Sequence, residues 1–259
     1  MRDRILDIET PEGKMETFIS HPEQGGPFPW VILYQDFWGV REELYDIARM
    51  VAVTGYYVMV PDLFYRTERR RSDYRDENNR MISSWKLAPE VLAFVAGPIG
   101  EHKDDMAMRD TQALMRFVRA GEPVKADAFA CFGYCLGGRL ALKAAIEFPD
   151  ACVAAASMHG TALVTPEPDS AHLGVAKIKA ELYFGFAEHD HWATSEMIAT
   201  LEAALQVNGI AYTQALHHGA WHGYALPNRD IFDKPAYNRD WELIFAMLHR
   251  RLPPSFVDG

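Results

Sequence analysis

Three cysteines in 259 residues are too few to staple a disulfide-built domain. Their spacings, Cys131-x-x-x-Cys135 included, match neither a zinc site nor a thioredoxin-type motif. No run reaches the roughly 18 apolar residues that span a bilayer, and Met1-Arg2-Asp3-Arg4-Ile5-Leu6 lacks the roughly seven apolar residues of a signal peptide. The expectation is therefore a cytoplasmic protein without a membrane partner. Positive charge is also short: 26 basic side chains face 36 acidic ones, for a net charge of −10. That balance argues against nucleic acid, which needs a basic stripe to displace counterions from phosphates. Internal repeats and low-complexity linkers are absent. With 49% apolar and 24% charged residues, the chain has the composition of one folded domain with a sizeable core.

Strand-like and helix-like segments alternate in the order that builds a mostly parallel sheet with helices on both faces. Ile5 to Glu9 and Glu16 to Ser20 read as an antiparallel edge. Trp30 to Tyr34, Tyr56 to Val60, Ala128 to Phe132, Ala151 to Ser157, Glu181 to Phe186 and Ala211 to Leu216 supply the other strands, about eight in all. Helices are expected over Arg41 to Val53, Asp104 to Ala120, Arg139 to Phe148, Ser195 to Val207 and Asn238 to Arg251. The segment 65–102 fits this alternation least and reads as an insertion in a single domain spanning 1–259. Its apolar part, Met81 to Trp85 and Val91 to Ile99, suits a lid or a subunit contact, and so a homo-oligomer. Arg69 to Arg71 within it read as a solvated face.

The informative motif is Gly133-Tyr134-Cys135-Leu136-Gly137-Gly138, set between an apolar strand and a helix. A tight strand-to-helix turn of this kind holds its central residue in a strained backbone conformation and leaves no room for side chains two residues to either side. Cys135 is thus presented as a nucleophile, whereas Cys131 and Cys152 sit in apolar strand patterns and read as packed core thiols. A nucleophile elbow demands an acid after a later strand and a histidine after the last one. Asp190 follows the strand pattern that ends in Phe186. Beyond the strand 211–216 come His217, His218 and His222, of which His222, in a glycine-flanked loop, is best placed to reach back toward sulfur. His159, after another strand end, reads as either a pocket or a packing residue, and so do Trp38, Trp192 and Trp221 beside the proposed loops. His189-Asp190-His191 reads as no metal site, because neighbours on an extended segment point to opposite sides.

These residues resemble the dienelactone hydrolase family of the α/β-hydrolases, from about Ile5 to Leu252. Gly-x-Cys-x-Gly-Gly at 133–138, Ala-Glu-x-Asp at 187–190 and His-Gly-Tyr at 222–224 are similar to its three catalytic stations. Gln35-Asp36-Phe37-Trp38-Gly39-Val40 and Pro61-Asp62-Leu63-Phe64-Tyr65-Arg66 are similar to its oxyanion segment and to the stretch after the next strand. The resemblance implies the α/β-hydrolase fold and a Cys135–His222–Asp190 triad that cleaves a small ester or lactone, without a cofactor or metal. A free thiol is mostly protonated at neutral pH, so His222 would take its proton while Asp190 fixes the imidazole tautomer. The backbone N–H groups of Phe37 and Leu136 would hold the oxyanion.

Two positions depart from the family. Its type members carry Glu where this chain has Asp36, so a gating contact between Asp36 and the thiol is an expectation only. They also carry an arginine four positions after the histidine, where this chain has Leu226. Arg66 or Arg80 are the replacements expected to bind substrate, with Trp38 as a further pocket residue; a substrate without a carboxylate is the other reading. Dehalogenase or C–C hydrolase chemistry on the same scaffold, and a noncatalytic ligand-binding homologue, stay open as alternatives.

Overall fold

The computed structural model describes residues 1–67 and 74–254. The chain opens with the hairpin β1 (Arg2–Thr10) and β2 (Gly13–His21), whose strands pair antiparallel from Arg2 opposite His21 to Thr10 opposite Gly13. The elements β3 (Phe28–Tyr34), α1 (Glu42–Ala52) and β4 (Tyr57–Pro61) follow. After a short helical turn at Ser84–Lys86 come α2 (Pro89–Glu101) and α3 (Asp104–Arg119). The second half alternates strictly: β5 (Val124–Tyr134), α4 (Leu136–Glu147), β6 (Cys152–Met158), β7 (Glu181–His189), α5 (Ser195–Val207), β8 (Tyr212–Trp221) and α6 (Lys234–Arg251).

All eight strands join one sheet in the order β1-β2-β4-β3-β5-β6-β7-β8. The β1, β2 and β4 pairings are antiparallel and every later pairing is parallel. This is the α/β-hydrolase architecture that the sequence implied.

The two faces of the sheet follow from the period-2 alternation of strand side chains. Trp30, Ile32 and Tyr34 of β3 pack with α3, α4 and α5, while Val31 and Leu33 pack with α1 and α6. β3 is buried along its whole length, as a central strand covered on both sides must be. Each large apolar side chain so buried stabilises the fold by about 1.5–3 kcal/mol.

Several boundaries differ from those read in the sequence. β7 runs past Phe186 to His189 and β8 past Leu216 to Trp221, with a register shift near their ends between Ala187 and His189. The shift admits polar residues that do not alternate cleanly, and for that reason the pattern ended too early. α6 starts at Lys234, not Asn238, because the Asp233 side chain accepts the Ala236 N–H at 3.0 Å and Pro235 suits a first turn. α2 was not expected as a helix: Pro98 and two glycines interrupt its periodicity.

Part of the 65–102 segment is pinned to the loop after β8. Met81 N donates to Asn228 O at 2.7 Å, Asp230 N donates to Met81 O at 3.0 Å, and Asp230 also receives Ser83 and Lys86. Beneath this strap Trp38, Met81 and Val95 form a small buried cluster of their own. Arg69 to Arg71 lie outside the described residues. Among the described residues no helix is long and apolar enough to cross a membrane.

Candidate active site

Parallel strands place their C-terminal ends on one edge, and five of this sheet's strands deliver a chemically distinctive residue there. Gln35, Cys135, His159, Asp190 and His222 each directly follow the last residue of β3, β5, β6, β7 and β8. Loops on this edge are where ligands bind in open α/β sheets.

The turn at Cys135 is as tight as its glycines suggested. Cys135 has φ 56° and ψ −115°, a conformation L-residues avoid, and it caps the N-terminus of α4. Its N–H donates to Met158 O and its carbonyl accepts from Thr161 N, both at 3.1 Å, so the end of β6 holds the strained residue in place. A Cβ at Gly133 would lie 2.4 Å from the Gly137 carbonyl group, and one at Gly138 would lie 2.6 Å from Ser157 Oγ. Cys135 is half-buried, whereas Cys131 and Cys152 are buried and unbridged, with their sulfurs 3.9 Å apart. Burial raises the Cys131 thiol further above its usual value.

His222 Nδ1 stands 2.7 Å from Asp190 Oδ2. Asp190 is buried and also accepts the Trp192 N–H at 2.9 Å, which fixes the carboxylate from the other side. Burial works against a charged His222 ring. The negative field of Cys135, the Asp190 hydrogen bond and a hydrogen bond to Cys135 outweigh it and push the imidazole up to about 10. His222 thus interacts with both Asp190 and Cys135. The other two histidines of the loop go elsewhere: His217 Nε2 meets Asp240 at 2.6 Å, and His218 meets Glu188 at the surface. The rings of His189 and His191 lie tilted against Trp221 and Trp192, with centroids 4.7 and 4.8 Å apart.

Leu136 N, at the first turn of α4, and Phe37 N, in the loop after β3, have no protein acceptor among the described residues. They sit on neighbouring elements, because Gly137 packs against the Tyr34 and Gln35 carbonyls. An anion beside Cys135 would therefore meet free backbone donors and the positive end of α4.

The residues expected to surround substrate are placed differently. The Asp36 carboxylate receives Arg41 at 2.7 and 3.0 Å and the Trp38 N–H at 3.0 Å, and no contact with Cys135 accompanies these bonds. Arg41 in turn binds Glu43, so Asp36 is one end of a buried Asp–Arg–Glu cluster. Arg66 is spent on Asp110, in a bidentate pair at 2.7 and 2.8 Å, and on Glu12. Arg80 donates to Pro227 O and anchors the strap. Trp38 is 2% exposed and packs in the cluster under that strap, while Trp192 and Trp221 are about half exposed. Arg66 and Arg80 are thus engaged with Asp110, Glu12 and the Pro227 carbonyl, and Trp38 with the cluster under the strap.

Three buried residues escaped the sequence reading or were undervalued by it. His159 is fully buried, with φ 39°, and its ring meets that of His222 edge-on at 4.9 Å. Burial keeps it neutral by lowering its basicity well below the usual histidine range. Asp240, on α6, is also fully buried and gathers Tyr183, Tyr224 and His217 beneath the His222 loop. Arg229, seven positions after His222, is 4% exposed. A cleft of about 790 Å³ lies between α3, α4 and the loop 162–171, and none of the Cys135, Asp190 and His222 side chains lines it.

The sequence model of the dienelactone hydrolase family matches residues 15–252. A chain of Aquifex aeolicus provisionally named carboxymethylenebutenolidase is 22% identical over 93% of this chain and 95% of its own length. A Bradyrhizobium chain, named with similar reserve a 2-oxo-3-(5-oxofuran-2-ylidene)propanoate lactonase, is 23% identical over 94% of this chain and 93% of its own. Among solved structures, a provisionally named dienelactone hydrolase of Klebsiella pneumoniae superposes with a TM-score of 0.82. It is 18% identical and covers 96% of this chain and 98% of its own, a likeness that shows the fold.

Proposed function

The chain belongs to the dienelactone hydrolase family, and on that premise we propose that it hydrolyses a small ester or lactone through a thioester on Cys135. The observation that carries this reading is the strained, half-buried Cys135 facing an imidazole that Asp190 holds at 2.7 Å. The names of the relatives, a butenolidase and a lactonase, support an ester or lactone as the substrate class.

His222 takes the proton of Cys135, and the raised basicity of its ring keeps that proton on nitrogen while sulfur is negative. The sulfur attacks the substrate carbonyl, and the developing oxyanion accepts hydrogen bonds from the Phe37 and Leu136 amides, each worth about 3 kcal/mol of barrier. Collapse of the tetrahedral adduct breaks the ester C–O bond. His222 then gives its proton to the leaving oxygen and leaves a Cys135 thioester. Water, deprotonated by His222, attacks that thioester, releases the acid product and restores the thiol. Throughout, Asp190 keeps Nδ1 engaged so that Nε2 handles the proton.

Titration of Cys135 with iodoacetamide against the rate of aryl ester hydrolysis tests the reading. Activity should vanish in proportion to alkylation and should be absent from Cys135→Ala. Undiminished hydrolysis in Cys135→Ala would remove the thioester mechanism, and lack of turnover across a panel of esters and lactones would remove the hydrolase.

A further inference from the structure

In the resting protein the His222 ring is held at two points, by Asp190 2.7 Å from Nδ1 and by its hydrogen bond with Cys135. Acylation removes the second point, because a thioester sulfur carries neither negative charge nor a proton to share. One hydrogen bond then fixes the distance of Nδ1 from Asp190 but lets the ring tilt about it. Nε2 must still face the thioester carbonyl to deprotonate water there, and a general base out of place loses much of its effect. The His222 side chain is 13% exposed, so packing does not enclose it on every side.

His159 stands against this ring, and the steps above give it no part. It follows the last residue of β6, and the pairing of Met158 with Tyr134 brings that strand end beside the elbow. Its ring lies edge-on to that of His222, with centroids 4.9 Å apart and planes at 70°. Behind it, Tyr134, the residue before Cys135, and Tyr224, two residues after His222, lie at 5.7 and 5.5 Å. Tyr224 is in turn tied to Asp240 at 2.7 Å, so the row of rings ends in the core. The backbone is fixed as well. His159 N donates to Gly185 O at 2.8 Å, and its φ of 39° is left-handed, a conformation that persists only where the surroundings over-determine it.

Neither ring nitrogen of His159 has a protein partner among the described residues, so what it offers its neighbours is the ring itself. Burial, with the positive fields of His222 and Arg229, keeps that ring neutral. A neutral aromatic ring attracts a cation through its π electrons and packs against an uncharged ring equally well. The contact therefore survives the change that removes the Cys135 hydrogen bond. We infer that His159 is a positioning residue whose ring keeps the His222 imidazole in its working plane once Cys135 is acylated, so that deacylation depends on it more than acylation does; this rests on the hydrolase reading above.

The two steps can be separated with p-nitrophenyl acetate in the wild type, His159→Ala and His159→Phe. Acylation is read as nitrophenol release with enzyme in saturating excess, and deacylation as loss of the acetyl adduct from Cys135 by intact mass. His159→Ala should lower the deacylation rate constant by about 10- to 100-fold and the acylation rate constant by less than about threefold, so that acetyl-enzyme accumulates. His159→Phe, which keeps an aromatic face against His222, should bring the ratio of the two constants back to within about threefold of the wild type. Each is a first-order constant of folded molecules alone, so partial unfolding leaves their ratio unmoved. Equal slowing of both steps in His159→Ala, or a His159→Phe ratio no better than that of His159→Ala, overturns the inference. An acetyl adduct that forms on Cys135 and clears equally fast in all three proteins sinks this inference alone, whereas a wild type that never forms the adduct sinks the hydrolase reading and this inference with it.

Discussion

A Cβ placed on Gly137 would stand 2.3 Å from the carbonyl oxygen of Tyr34 and 2.5 Å from that of Gln35. The first turn of α4 therefore seats directly on the end of β3, and the turn after Cys135 shares a wall with the segment that contributes Phe37. Leu136 and Phe37, whose backbone N–H groups have no protein acceptor among the described residues, thus lie on elements in direct contact.

Gly137→Ala is the substitution most damaging for its size. The atoms it meets are backbone and cannot rotate aside, so either the helix or β3 must move. Overpacking of this kind should cost about 3 kcal/mol of unfolding free energy in a urea titration, together with a loss of ester hydrolysis. Wild-type stability in this variant would mean that the elbow is not tightly seated.

The same local crowding explains why so much of the site could be read from the chain. Gly133, Gly137 and Gly138 announce the turn at Cys135, and Asp190 and His222 come after strand patterns in the required order. The fold was legible for a related reason, since β3 and β6 are short apolar runs with clear ends; β5 is longer than its apolar part and starts at Val124, four residues before Ala128. What could not be read was where charged side chains find partners. Arg66 looked available because its acceptor, Asp110, lies 44 positions away on α3. Asp36 looked like a neighbour of the thiol, yet Arg41 claims it. Arg229 carries no local signature; only burial without a partner distinguishes it, and that is a tertiary property. His222 does lie in the turn beyond the last strand, but the length of that strand could not be read: β8 continues five residues past the point where its apolar pattern stops.

The pH dependence follows from His222. Its basicity is raised in the folded chain from 6.5 to about 10, and it binds a proton more tightly there than in the unfolded chain. A group raised in this way contributes its full stabilisation below about pH 6.5 and loses it as pH rises through about 10. Stability should accordingly decline between these values, with His222 the source of a downward slope. Negative charge on Cys135 is a leading reason for the raised value, after the opposing effect of burial. Cys135→Ser should lower the His222 titration midpoint observed by NMR and flatten the slope in thermal denaturation. An unchanged midpoint would show that sulfur carries no charge opposite the ring.

Arg66→Met separates a structural arginine from one that binds substrate. Asp110 is fully buried, and burial already raises its carboxyl despite the Arg66 pair. Removing Arg66 strands that carboxylate with only the Tyr65 hydroxyl as a donor. The loss should be about 3 kcal/mol of stability, as is usual when one partner of a buried pair is deleted. The preference between acid-bearing and neutral substrates should remain that of the wild type. A selective rise in KM for acidic substrates without loss of stability would return Arg66 to the pocket.

Two Asp–His pairs lie side by side on this edge of the sheet, and distance does not tell them apart: His222 to Asp190 spans 2.7 Å and His217 to Asp240 spans 2.6 Å. Their other partners differ. Asp240 holds the hydroxyls of Tyr183 at 2.6 Å and Tyr224 at 2.7 Å, all in the core, so it ties α6 to β7 and to the loop two residues beyond His222. Asp190 holds only a ring beside Cys135 and one local amide. Asp240→Ala should therefore act first on the fold, leaving three polar groups facing a void at a cost of about 3 kcal/mol or more in chemical denaturation. Asp190→Ala should act first on the reaction, lowering kcat by about two orders of magnitude or more while unfolding near the wild-type midpoint. If the two variants exchanged these behaviours, the working histidine would be His217 and the assignment of His222 would fail.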